Sequence, residues 1–203
     1  MNDTFAVQAH ARSAVPRASN ALFTARAILA DTLEYYASRR SVEAAKVTAK
    51  EMRSGDRALQ ADLERRLARS LAEYLGGMDR DLKAVYLYEQ KLAEDDESLD
   101  ALVTDPLHLV VWAEPKTVAL DALITMLNRA LTQAMSELRK KSATRRALDA
   151  HLIDDAEVRD RVGYAAFLFS PHHRPVQVWR RADVASDASR WLVQEQSLER
   201  TGI

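Results

Sequence analysis

Few groups of residues in this chain have the types and spacing that chemistry demands. Acid–base or nucleophilic catalysis needs a reactive side chain within hydrogen-bond reach of a group that orients it. His151 with Asp154 and Asp155 offers an imidazole base and orienting carboxylates. His172 and His173 offer imidazoles to a metal, but adjacent residues in a loop point differently and no carboxylate stands at a ligand spacing. Surface histidines account for all three. The acidic run Glu94, Asp95, Asp96 and Glu97 lacks the alternating spacing and the glycine of a calcium loop. Neither phosphate-binding glycine pattern, GxGxxG or GxxxxGK[ST], occurs. There is no cysteine, which excludes disulfides, thiolate zinc sites, iron–sulfur clusters and thiol catalysis, and fits a reducing compartment. The expectation is a chain that is not an enzyme, has no metal or other cofactor, and takes no small-molecule substrate.

The cations are more informative. Arg139, Lys140, Lys141, Arg145 and Arg146 place five positive charges in eight residues, a pattern suited to phosphate. Arg174, Arg180 and Arg181 form a second group. Neither group is interleaved with aromatic residues, so the spacing does not point to single-stranded RNA. Trp112, Trp179 and Trp191 read as core or interface residues. The chain has 29 Lys and Arg against 30 Asp and Glu, a net charge of −1 and a pI near 6.5. Any nucleic-acid contact must therefore come from a local patch.

The elements that would position these residues centre on 105–141, DPLHLVVWAEPKTVALDALITMLNRALTQAMSELRKK. Leu107, Leu109 and Val111 alternate with His108, Val110 and Trp112, which predicts a short strand over 107–112. Pro106 and Pro115 bound it, and Pro115 suits the first position of a helix. Leu120, Ile124, Leu127, Leu131, Met135 and Leu138 then recur at three and four residues, the stripe of an amphipathic helix. Arg139, Lys140 and Lys141 fall in its last turn. A lone strand cannot satisfy its own N–H and C=O groups. It pairs either with a second strand at 176–179 or with its own copy in a second chain.

Elsewhere the pattern is helical. Residues 1–18 read as a flexible arm carrying Arg12 and Arg17, and 19–203 as a single mainly helical domain. Ser19 caps a helix with Leu22, Ala25, Leu29, Leu33 and Tyr36 on one face, and a second segment runs from Ser41 through Val47 to Met52. Leu59, Leu63, Leu67, Leu71 and Leu75 repeat every fourth residue up to a stop at Gly76-Gly77. A third helix is expected from Asp79 to Ala93, another after Ser142, one from the capping box Asp154-x-x-Glu157 to Phe169, and a last from Asp183 or Ser186. The stretch MNDTFAVQAHARSAVPRAS has no apolar core of signal-peptide length, and no stretch approaches the roughly 18 apolar residues of a membrane span, so the chain reads as cytoplasmic.

Four segments together resemble one family: NALFTARAILADTLEYYASRR, GDRALQADLERRLARSLAEYLGGMDRDLK, PLHLVVWAEPKTVALDALITMLNRALTQAM and VQVWRRADVASDASRWL. The resemblance, over roughly 20–195, is to the AcaB-like transcriptional regulators of conjugative plasmids and integrative conjugative elements. It implies a homodimeric DNA-binding protein related to ribbon-helix-helix regulators. The glycine break usual between the two helices of that motif is not visible between Lys116 and Lys141. Either the turn falls near Asn128, or the helix is continuous and the motif is absent.

The fold expected is thus mainly α: a helical bundle with one or two short strands, with a ribbon-helix-helix-like core formed across a dimer. The function expected is a transcriptional regulator of a mobile element that binds double-stranded DNA as a homodimer. His108, Val110 and Trp112 would face the groove; Lys116 and Thr117 would hold phosphate near a helix N-terminus; Arg139, Lys140, Lys141, Arg145 and Arg146 would touch flanking backbone. A register slip of one residue would exchange the strand faces, and base reading prefers Arg, Lys, Asn and Gln over Val and Trp. The alternative is a helical adaptor that binds another protein through the 120–138 stripe or the third helix.

Overall fold

The computed structural model describes residues 18–40, 57–88, 106–139, 146–170 and 175–182. The terminal arm, the 41–52 segment, the acidic run, Lys140, Lys141, Arg145, the His172-His173 loop and the last predicted helix lie outside these residues. Two long helices open the described chain: α1 (Ala18–Arg40) and α2 (Arg57–Met78). Two strands follow, β1 (Leu82–Leu87) and β2 (Leu107–Ala113). Then come α3 (Val118–Arg139), β3 (Leu148–Ile153), the one-turn helix α4 (Asp155–Asp160), a 3₁₀ helix (Gly163–Phe169) and β4 (Val176–Arg180).

This is an α/β fold, not a mainly helical bundle with one or two strands. The sheet has four strands in the order β3-β2-β1-β4. β1 runs antiparallel to both β2 and β4, whereas β2 and β3 are parallel and joined through α3. β2 therefore has a neighbour on each side. Its N–H and C=O groups are engaged by β1 and β3, so it cannot pair across a dimer axis, and the ribbon-helix-helix core does not form.

The two sheet faces bury different sets. Leu107, Leu109, Val111 and Ala113 of β2 point into the larger core with Leu82, Val85, Leu148 and Val178. α2 and α3 cover this face, and α1 packs on those two helices, adding Ala21, Ala25 and Ile28 to the same core. Leu63, Leu67, Leu71 and Leu75 of α2 are buried, as their fourfold spacing requires. So are Leu120, Ile124, Leu127 and Leu131 of α3, which leaves that part of the stripe unavailable to a protein partner. α3 is continuous through Asn128. The Asn128 carboxamide accepts the N–H of Leu148 at 3.0 Å and the Thr132 hydroxyl accepts that of Ala147 at 3.0 Å, which pins the start of β3 to the helix. The helix begins after Pro115: Thr117 Oγ1 accepts the Leu120 N–H at 3.1 Å and acts as the cap.

Four other expectations give way. The helix expected after Ser142 does not reach Leu148, which begins β3. Residues 82–87 are strand, not helix. Their apolar run LKAVYL is buried on both faces, and such a run has no period that separates strand from helix. α2 continues to Met78 through Gly76 and Gly77. Gly76 serves a close approach instead: a Cβ there would lie 2.2 Å from the Trp179 ring of β4. Finally, the helix from the capping box stops after Asp160, where Arg161 (φ 55°) and Gly163 (φ 56°) turn left-handed and lead into the 3₁₀ helix.

Candidate functional site

The second sheet face carries the polar chemistry, gathered at its two ends with a small core between. That core is Ala84, Tyr86, Val110, Trp112, Ile153, Val158, Ala165 and Leu168. Side chains alternate along a strand, so His108 shares this face with Val110 and Trp112, and Asp149 and His151 share it with Ile153.

The histidine end lies where β2 and β3 begin. His108 is the register partner of Asp149. Asp149 Oδ2 sits 3.2 Å from His108 Nδ1 and 3.3 Å from His151 Nε2, so one carboxylate oxygen lies between two imidazoles. Tyr164 stacks on His151 with ring centres 3.4 Å apart and planes 9° from parallel. Phe167 follows at 6.0 Å from Tyr164, and Tyr88 at 5.1 Å from Phe167. The Tyr88 N–H donates to the His108 carbonyl at 3.0 Å, which closes the circuit back to β2. The 3₁₀ helix explains this row. With three residues per turn, i and i+3 stand one above the other. Ala165 and Leu168 take the inward row, leaving Tyr164 and Phe167 on the outward row, 45% and 39% exposed. Arg146 is exposed two residues before β3.

The lysine end lies where β2 and β3 finish, and every charge there has a partner. The Asp155 carboxylate accepts from Lys83 Nζ at 2.7 Å and from the Trp112 indole N–H at 2.8 Å. The Asp155 N–H donates to Glu114 Oε2 at 3.1 Å. Asp154 and Glu157 form the expected capping box: the Glu157 N–H donates to Asp154 Oδ1 at 2.9 Å and the Asp154 N–H to Glu157 Oε2 at 3.0 Å. Lys116 reaches both, touching Glu157 and standing 3.5 Å from Asp154. Burial pulls the Lys116 ammonium down, but the Glu157 hydrogen bond and the charges of Glu157 and Asp154 outweigh it and hold its pKa above the ordinary value. The Glu157 backbone N–H, opposed by burial and aided by Lys116, holds the Asp154 carboxyl below its usual range.

The predicted DNA-contact residues therefore scatter. Val110 and Trp112 are 2% and 6% exposed, under α4 and the 3₁₀ helix, and cannot face a groove. His108 is half-buried against Asp149. Lys116 is committed to two carboxylates and Thr117 to capping α3, so neither is presented to phosphate. Arg139 is the last residue of α3 and Arg146 is exposed. Of the second cationic group, Arg181 holds the carbonyls of Leu82, Gly76 and Asp79 and so finishes the end of α2. His151 has Asp149 as its carboxylate, not Asp154 or Asp155. Among the described residues no three His, Asp or Glu side chains are placed so that they could hold a metal ion together. The sequence did not reveal the meeting of His108, Asp149 and His151, or of Tyr88 and Phe167, because each depends on strand register and on a chain reversal between distant segments. No protein-family model, curated protein or solved structure matches this chain. The AcaB-like resemblance thus rests on its residue patterns alone. No helix among the described residues is long and apolar enough to cross a membrane.

Proposed function

We propose that this chain is a non-enzymatic DNA-binding protein that grips the phosphate backbone with Arg139, Lys140, Lys141, Arg145 and Arg146. The observation that carries the reading is the density of this run, five cations in eight residues with no acid among them. It joins the last residue of α3 to the exposed Arg146 just ahead of β3. Contacts of this kind are made to the backbone and give affinity before sequence preference. A regulatory role in transcription on a mobile element and a cytoplasmic location go with the reading. So does a homodimer, joined through the outer edge of β3 or β4, since both sides of β2 are occupied.

The test is fluorescence anisotropy of the full chain with a mixed-sequence duplex at several salt concentrations. The slope of log K against log salt is expected at about −4 or steeper, reflecting roughly 0.9 per neutralised phosphate. The double variant Lys140→Gln, Arg145→Gln should flatten that slope by about 2. Absence of binding at low salt overturns the reading and favours a module that binds another protein.

A further inference from the structure

We propose that the histidine end binds unpaired bases, so that the preferred ligand is a duplex carrying a single-stranded tail. This rests on the DNA reading above and adds a substrate class that the cations alone do not specify.

The argument starts from the outward row of the 3₁₀ helix. Tyr164 and Phe167 keep two large rings in solvent while their neighbours Ala165 and Leu168 are buried. The rings are not loose. Tyr164 is backed by the parallel imidazole of His151, and Phe167 by Tyr88, so each is a fixed plane. Fixed, half-open aromatic planes are what single-stranded nucleic acid uses, because every base has a π-face and stacks without regard to sequence. A duplex cannot use them, since its bases are already stacked on one another.

Charge fits the same ligand. Arg146 stands exposed ahead of β3, at the end of the sheet where the rings lie. Asp149 lies between the two imidazoles, and Asp160 and Arg159 offset one another at 3.9 Å. A polyanion with exposed bases satisfies both the rings and Arg146. An apolar peptide would satisfy only the rings.

The experiment compares the full chain with a blunt duplex, the same duplex bearing a ten-thymidine tail, and the tail alone, by anisotropy at one salt concentration. The tailed duplex is expected to bind about tenfold more tightly than the blunt one. Tyr164→Ala should erase that advantage and leave blunt-duplex affinity unchanged, whereas Tyr164→Phe, which keeps the ring, should retain it. Irradiating the wild-type chain with a 5-iodouracil-substituted tail should crosslink Tyr164, Phe167, Tyr88 or His151; this needs no variant to fold. Equal affinity for blunt and tailed duplexes, or crosslinks confined to other residues, overturns the inference while the DNA reading stands. Loss of binding to all three ligands overturns both. Binding to the tail without the duplex supports the inference and refutes duplex recognition.

Discussion

The two ends of one sheet face use similar residues to opposite effect. Both stand on β2 and β3, and both join carboxylates to nitrogen bases. At the lysine end the groups tie one another down: Asp155 takes Lys83 and the Trp112 indole, and Lys116 spans the capping box. At the histidine end a single carboxylate oxygen serves two imidazoles, and the aromatic rings beside it stay half in solvent. Closure at one end is the mark of a brace. Openness at the other is the mark of a surface kept for something else. A charged cluster is thus informative about function only after its partners have been accounted for.

The contrast breaks most sharply at Asp155. Asp155→Ala leaves Lys83 and the indole N–H of the buried Trp112 without their acceptor, and should cost about 2–3 kcal/mol in urea denaturation. A smaller loss, about 1 kcal/mol, is expected for Asp154→Ala, which removes the cap of α4; thermal unfolding followed by circular dichroism would measure it.

Acidity sharpens the comparison next. Folding holds the Asp154 carboxyl below its unfolded value, so its contribution is present above that value and disappears as pH falls through the folded one. Lys116 is held above its unfolded value, so its contribution is complete below that value and is lost only as strongly alkaline pH passes the folded one. The lysine end should therefore stabilise the fold evenly across neutral pH and weaken in acid below the ordinary carboxylate range. Denaturation midpoints of wild type and Asp154→Asn should converge there. The smallest stability effect belongs to the other end. His151→Ala removes a partly buried contact with Asp149 and the stack on Tyr164, and should shift stability by about 0.5–1 kcal/mol. A loss of several kcal/mol would show that the histidine end is a brace as well.

How much of this was legible follows from the range of each signal. The leucine repeat of α2, the amphipathic stripe of α3 and the capping box of α4 depend on residues three or four apart, and all were readable. β1 was not, because burial on both faces removes the alternation that marks a strand. β2 was readable as a strand but not as an inner one, since an apolar alternation does not say how many neighbours a strand has. β3 lies in LDAHLI, where Leu148, Ala150 and Leu152 alternate with Asp149 and His151; the strand period is there, but over so short a run Leu, Ala and Asp suit a helix as well. The histidine end was invisible for a deeper reason. Its parts come from the ends of β1 and β2, from β3 and from the 3₁₀ helix, and only register brings His108 beside Asp149. The lysine end announced one local piece, the capping box, while Lys83 and Lys116 joined it through the sheet.

The notch at Gly76 bears on the order in which the molecule can be finished. Trp179 of β4 lies over that glycine, and Arg181 just beyond β4 holds the carbonyls at the end of α2. β1 is the first described strand to be made, yet its neighbour on one side is the last of them. During synthesis β1 must wait with that edge bare until β4 arrives, the condition under which nascent sheets mispair. A Gly76→Leu substitution would obstruct the arriving indole, so its signature should be aggregation of newly made chains, out of proportion to any change in the activity of those that fold.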